Sequence, residues 1–193
     1  TLCLLFAVDH SPFMSSCFAE DFPFDTPANW GGTGLMETPT ARVLKEGRYR
    51  VGVSVVDPYR YYYGAVSPLE GLEIGGRITE ISGVQALTPE YGDYRDKAVD
   101  LKYQFIPEGK WTPAVALGIM DPHGTRVYTS QYLVASKQIY PFDFTVGLGN
   151  GRFGSRPIIS NTEDLGVEIF TDNRQWRSDA QFFGGVQFAL SDR

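Results

Sequence analysis

Residues 96–105 alternate between apolar and polar side chains with a period of two. The apolar members are Val99, Leu101, Tyr103 and Phe105, and Asp100, Lys102 and Gln104 stand between them. Successive side chains of a strand point to opposite faces, so this pattern predicts a strand with one apolar and one charged face. A helix is disfavoured, because Asp100 and Lys102 would interrupt its apolar stripe. The apolar face must therefore meet either a protein core or the hydrocarbon of a membrane.

The same alternation recurs along most of the chain. It predicts about nine strands, near residues 49–55, 59–66, 72–79, 96–105, 114–119, 126–136, 142–148, 165–171 and 180–190. Turn residues separate these segments, and no convincing helical pattern lies between them. Residues 20–47 are predicted to be rich in loops, since glycine and proline interrupt them repeatedly. The spacing of the strands is typical of a β-sandwich or a β-barrel.

Three features favour lipid over a second sheet as the neighbour of the apolar face. Several predicted strands have the roughly 9–11 residues that a tilted strand needs to cross a bilayer. Small residues mixed with charges of both signs occupy the polar face, which suits a crowded, wet interior. The longest connections, 82–94 and 149–164, should emerge at one end of the sheet, and shorter ones, such as 67–68 and 107–111, at the other. We therefore predict an antiparallel up-and-down outer-membrane β-barrel, present in part, over residues 48–193.

Residues 1–19 resemble the remnant of a secretory signal, with an apolar run followed by small residues and a cleavage point after Ala19. A short buried strand at the edge of the domain is the alternative. Cys17 follows a sequence that loosely resembles a lipoprotein processing site, so it is a candidate for lipidation. The second cysteine, Cys3, lies in the same segment, and the mature chain would hold no disulfide or cysteine-bound metal.

The sequence gives little support for catalysis or nucleic-acid binding. The net charge is −6, and Lys and Arg are not clustered. His10 and His123 form no cluster that predicts a metal site or a Ser-His-Asp triad. Residues 149–154 spell GxGxxG, but no helix is predicted after them to hold a pyrophosphate, so we expect a loop. We expect no enzymatic activity, no cofactor, no metal and no nucleic-acid partner.

Two groups of polar residues remain as candidates for carbohydrate chemistry. Glu73 and Asp100 fall on the polar face of neighbouring strands, where paired carboxylates could cleave a glycosidic bond. Arg77 and Lys102 share that face, so an interior lined by salt bridges is the favoured interpretation. The tyrosines near one strand end are Tyr59, Tyr61, Tyr62 and Tyr63. They could stack on sugar rings, but their position favours an aromatic girdle at a membrane interface.

Five motifs carry a family resemblance. They are WGGTGLMETPTAR at residues 30–42, GLEIGGR at 71–77, KAVDLK at 97–102, YLVASK at 132–137 and FTVGLG at 144–149. In this order they resemble the YjbH-type exopolysaccharide biosynthesis family. The resemblance implies an outer-membrane β-barrel, found with genes for secreted or capsular polysaccharide. Family members are longer than this chain, which would be a fragment that holds the signal and the first part of the barrel. It implies no catalytic motif.

These observations together predict a non-catalytic protein of the bacterial outer membrane. It would assist the export or anchoring of a polysaccharide, in contact with membrane lipid and other export proteins. The residues expected to line its interior and contact the polysaccharide are Glu73, Arg77, Asp100, Lys102 and Gln104. The alternatives are a general outer-membrane porin and a secreted β-sandwich that binds carbohydrate.

Overall fold

The computed structural model describes residues 4–6, 24–86, 92–122, 129–154 and 179–189. Within these ranges the chain forms β1 (Leu4–Phe6), β2 (Gly34–Leu35), β3 (Thr38–Pro39), β4 (Tyr49–Val56), β5 (Tyr59–Leu69), β6 (Leu72–Gln85), β7 (Asp93–Ile106), β8 (Ala114–Met120), β9 (Ser130–Ile139), β10 (Phe142–Gly149) and β11 (Gln181–Phe188). A single 3₁₀ turn, Gly151–Phe153, follows β10 in the described part.

One antiparallel sheet contains nine of the described strands, in the order β1-β4-β5-β6-β7-β8-β9-β10-β11. From β4 onward each strand pairs with the next described strand along the chain, which is the up-and-down arrangement, and the sheet curls into a half-barrel. The predicted fold class, an all-β and partial barrel, is confirmed. The β-sandwich is wrong for the described residues, because their only other sheet is the two-stranded pair of β2 and β3.

The strands are longer than the sequence pattern predicts at one end of the sheet. β6 continues to Gln85 and β7 begins at Asp93, so the connection predicted over residues 82–94 is shorter. The pairing register shifts between Ile81 and Gln85, and Gly83 adopts a positive φ of 80°. Residues 82–84, where the sequence pattern predicts a connection, therefore form a β-bulge, and the strand continues beyond them. The strand predicted at 165–171 lies outside the described residues.

The distribution of buried side chains across the sheet is the reverse of that in a water-soluble sheet. On the concave face, Glu73 and Asp96 are 3% and 0% exposed. On the convex face, Val99 and Val146 are 53% and 57% exposed. In the middle of the sheet, polar and small side chains thus point inward, and many large aliphatic side chains point away from the protein.

Residues 24–46, which we call the inner segment, lie against the concave face. Trp30 and Ala41 of this segment pack with Tyr61, Tyr63 and other buried side chains of the strands. At one edge of the sheet, Leu4–Phe6 pairs with β4 in antiparallel register. The interpretation of residues 1–19 as an export signal stays a prediction.

Glycines opposite aromatic residues shape the inner surface of the sheet. Gly118 is the direct cross-strand partner of Tyr132, and Gly52 and Gly147 face Tyr63 and Phe183 in the same way. A Cβ atom on any of these glycines would enter the ring of its partner. Each ring therefore covers a glycine, a pairing that permits strong curvature while protecting the exposed backbone.

We predict that Gly118→Ala destabilises the protein by about 1–3 kcal/mol, because the added methyl group overpacks the site against the buried Tyr132 ring. Gly76→Ala is the matched control, since a Cβ there meets no atom within 4 Å. Denaturant unfolding of the two purified variants measures the difference. Equal midpoints for both variants would show that the ring does not constrain position 118.

Candidate functional site

The candidate site is the polar surface between the inner segment and the strands. At its centre, Lys102 Nζ lies 3.3 Å from Glu73 Oε1, and both side chains are almost fully buried. Glu73 also accepts hydrogen bonds from the backbone N–H groups of Thr33 and Leu44, at 2.8 and 3.0 Å. Lys102 donates to the backbone oxygen of Thr33 at 2.7 Å. The pair of charges on the strands thus binds the backbone of the inner segment directly.

A second ion pair on the same face joins two neighbouring strands. Arg77 of β6 donates through Nη1 to Asp100 of β7, and both side chains are buried. The other carboxylate oxygen of Asp100 accepts the backbone N–H of Asp121 at 3.0 Å. This pair therefore fixes the start of the β8–β9 connection and the register of two strands.

Side chains of the strands form further hydrogen bonds with backbone groups of the inner segment. Ala41 donates its N–H to Ser136 Oγ at 2.9 Å, and its carbonyl accepts a hydrogen bond from Gln104 Nε2 at 2.8 Å. Ser136 Oγ is also 2.8 Å from Thr145 Oγ1 on β10. A segment with little secondary structure of its own is thus hydrogen-bonded by side chains of β7 and β9, and Ser136 connects this contact to β10.

Arg42 makes the most extensive charged contact of the inner segment. Its Nη1 and Nη2 atoms donate to the two carboxylate oxygens of Asp143 at 2.6 and 2.7 Å, and Nη2 also donates to Glu108 at 2.7 Å. Burial lowers the pKa of Arg42, but the hydrogen bonds and charges of Asp143 and Glu108 hold it above its ordinary value. The bidentate geometry fixes the orientation of the guanidinium as well as its position.

The inner segment is anchored at both ends of the sheet. Asp143 is near the start of β10, whereas Arg152 follows the end of β10 and forms an ion pair with Glu37. Arg50 Nη2 donates to the backbone oxygen of Asp25 at 2.7 Å. Contacts distributed in this way hold the inner segment along the concave surface.

The structure places all five predicted interior residues on the concave side. Arg77 and Asp100 pair with each other, whereas Glu73 and Lys102 both pair and bind the inner segment, which Gln104 also contacts. The structure thus shows the two ion pairs, and that these residues line the interior of a closed barrel stays a prediction. Contact with polysaccharide stays a prediction, as does the lipidation of Cys17, which lies outside the described residues.

The sequence pattern missed the Arg42 cluster and misassigned two tyrosines. Arg42 lies in a segment without periodicity, and its partner Asp143 is 101 residues away along the chain, so no local pattern marked this contact. Tyr61 and Tyr63 are 1% and 5% exposed and point inward, so the girdle interpretation is wrong for them. The alternation of β5 leaves Tyr62 on the exposed side.

The sequence analysis also considered nucleotide binding and metal binding. The GxGxxG motif forms the end of β10 and a 3₁₀ turn, not the start of a longer helix. Within the described ranges, no group of three His, Cys, Asp or Glu residues is placed to hold a metal ion. Among the same residues, no helix has the length and apolar character needed to span a membrane. His10 and His123 lie outside these ranges.

The fold and the site define a class of protein: an up-and-down antiparallel half-barrel with an ion-paired interior, an inner segment bound inside it and an apolar exterior. The chain belongs to the YjbH family, since residues 26–193 match the family model described as "Exopolysaccharide biosynthesis protein YbjH".

One curated relative is the protein named "Uncharacterized lipoprotein YjbH" from Escherichia coli (strain K12). It is 34% identical over 198 aligned residues, which cover 90% of this chain. The chain spans 28% of the length of that relative. No solved structure matches the chain.

We predict that Arg42→Ala lowers the free energy of unfolding by about 3–5 kcal/mol, because it leaves the buried carboxylate of Asp143 without its cation. Arg95→Ala is the matched control: Arg95 pairs with Glu80 from an exposed position, and such pairs contribute about 0–1 kcal/mol. Denaturant titration of both variants measures the two values. A similar small loss in both would contradict the anchoring role of Arg42.

Proposed function

We propose that this chain is part of an outer-membrane β-barrel that assists the biogenesis or export of an exopolysaccharide without catalysing a reaction. The observation that carries the proposal is the reversed burial of the sheet, with ionic groups inside and apolar side chains outside. A large exposed apolar surface is unfavourable in water and marks contact with a partner or a membrane. Membership of an exopolysaccharide biosynthesis family supports the proposed role in making or exporting an exopolysaccharide.

The apolar exterior forms a belt across the sheet. Its exposed members include Val51, Val53, Tyr62, Val66, Ile78, Val99, Leu101, Tyr103, Leu117, Leu133, Phe144, Val146, Phe182 and Val186. On β7 the outward apolar positions run from Val99 to Phe105, about 20 Å at the usual rise per residue of a strand. Outer-membrane barrels carry an apolar band of about 25 Å, so the belt has a suitable height.

Charged and aromatic residues lie at the two edges of this belt, as they do in membrane barrels. Toward one end of the sheet, Arg60, Glu80 and Arg95 form a row of ion pairs on the outward face. Toward the other end, Phe142 and Phe188 are exposed, with ring centroids 5.0 Å apart. Aromatic girdles and charged rims at the edges of an apolar band are typical of the two membrane interfaces.

The proposed membrane location gains support from the name of the relative. That protein is called a lipoprotein, which implies attachment to a membrane. In this chain Cys17 is the candidate for a lipid anchor, and the belt would supply the second, larger membrane contact. Anchoring by two signals is stronger than anchoring by one acyl chain.

In the described arrangement, the inner segment covers the residues that we expect to contact polysaccharide. Glu73 and Lys102 are 3% and 4% exposed beneath it. We infer that a polymer reaches these groups only when the inner segment moves, or that it follows a path formed with other export proteins. A permanently open porin is disfavoured by the same contacts.

The test uses the full-length protein in a strain that lacks its own copy. Leu101→Arg places a charge near the middle of the belt, at a cost of about 2–4 kcal/mol near the bilayer midplane, whereas Leu101→Val keeps the position apolar. We expect Leu101→Arg to lower the amount of protein in the outer-membrane fraction and the amount of secreted exopolysaccharide. Leu101→Val should restore both.

Two results would contradict the proposal. Wild-type protein that fractionates with soluble periplasmic contents without detergent would exclude the membrane assignment. Unchanged exopolysaccharide in the deletion strain, together with normal outer-membrane insertion of the wild type, would exclude the role in polysaccharide biogenesis and favour a general porin.

A further inference from the structure

The apolar belt is interrupted by an open groove of about 810 Å³. Its floor contains Gly64 and Gly76, which are direct cross-strand partners on the outward face of β5 and β6. A Cβ on Gly76 would meet no atom within 4 Å, and one on Gly64 would meet none closer than 3.6 Å. Because glycine has no side chain, these two adjacent positions leave a gap in the apolar layer.

The walls of the groove are almost entirely apolar. Val51 flanks the glycine pair on β4, and Val53, Tyr62 and Ile78 form the adjoining outward row. These side chains are 38–48% exposed. An open gap lined mainly by apolar side chains, among them the exposed Tyr62 ring, suits a flexible hydrocarbon chain better than a polar ligand.

A positive charge closes one end of this row. Lys97 lines the groove and is the cross-strand partner of Ile78. In the next outward row, Arg60 and Arg95 share the single carboxylate of Glu80. The two rows thus carry three cations against one anion, and the exposed Lys97 forms no ion pair with a described residue.

We propose that the groove binds one acyl chain of an anionic phospholipid, with the lipid phosphate on Lys97 and the neighbouring arginines. The inference rests on the proposed membrane location, because only a belt immersed in a bilayer presents the groove to lipid. The apolar walls bind the chain, and the excess of positive charge at one end selects the anionic headgroup. The site differs from the polar interior, which lies on the opposite face of the sheet.

Native mass spectrometry of the full-length protein, released from detergent micelles with added lipid, tests the site. The probes are phosphatidylglycerol and phosphatidylcholine with identical acyl chains. We expect wild type to retain one phosphatidylglycerol in preference to phosphatidylcholine. Lys97→Gln should lower that preference about fivefold, the effect of removing one basic residue near an anionic surface.

Gly76→Leu fills the groove without meeting a neighbouring atom at its Cβ, so it should fold and lose the retained lipid. Val146→Leu is the matched control, since it enlarges an exposed belt residue on β10, outside the groove. The lipid site is overturned by equal retention of the two lipids in wild type, or by undiminished retention in Gly76→Leu.

Inorganic phosphate separates a lipid site from a simple anion site. Displacement of phosphatidylglycerol by phosphate alone, with no effect of Gly76→Leu, would overturn the acyl-chain assignment. Protein that needs detergent yet retains no lipid would refute this inference and leave the membrane assignment intact. Protein that stays monomeric in plain buffer would refute the membrane assignment itself.

Discussion

The pairing of Glu73 with Lys102 beneath the inner segment makes this arrangement of the sheet possible. A buried charge without a partner costs several kcal/mol, so strands whose charged faces point inward need compensation there. The inner segment supplies part of it, because Thr33 and Leu44 donate backbone N–H groups to the carboxylate and Thr33 accepts from the ammonium. The segment and the polar face of the strands therefore stabilise each other, and Arg42 extends this principle to β10.

This polar core leaves the apolar side chains on the outside. In an ordinary soluble sheet, burial of apolar surface supplies the largest stabilising contribution to folding. Here the buried cluster contains Trp30, Tyr61, Tyr63 and Tyr132, together with several alanines. Many of the larger aliphatic side chains remain exposed. A hydrocarbon environment would remove their contact with water, and this connects the energetics of the fold to the proposed location in a membrane.

The strands could be predicted from the sequence because their side chains alternate with a period of two. Contacts between segments that are distant along the chain could not be predicted in this way. Alternation at positions 96–105 correctly predicted a strand with opposed faces, and the same pattern placed Glu73, Asp100 and Lys102 together. Nothing periodic marks Arg42, whose partner Asp143 is 101 residues away. The glycine–aromatic pairs likewise depend on register, which alternation alone does not specify. The turn-like residues at Gly83 form a bulge because the neighbouring strand continues to pair beyond them.

Spin labels on the belt of the full-length protein, reconstituted in bilayers, test most directly whether its apolar face contacts hydrocarbon. The labels would be attached one at a time through Val99→Cys, Val146→Cys and, at the charged rim, Arg95→Cys, with any other free cysteine of the mature protein replaced by serine. We predict frequent collisions with oxygen and few with a water-soluble nickel complex at Val99 and Val146, and the reverse at Arg95. Belt labels that meet the nickel complex as often as the rim label, or that neither reagent reaches, would contradict contact with lipid.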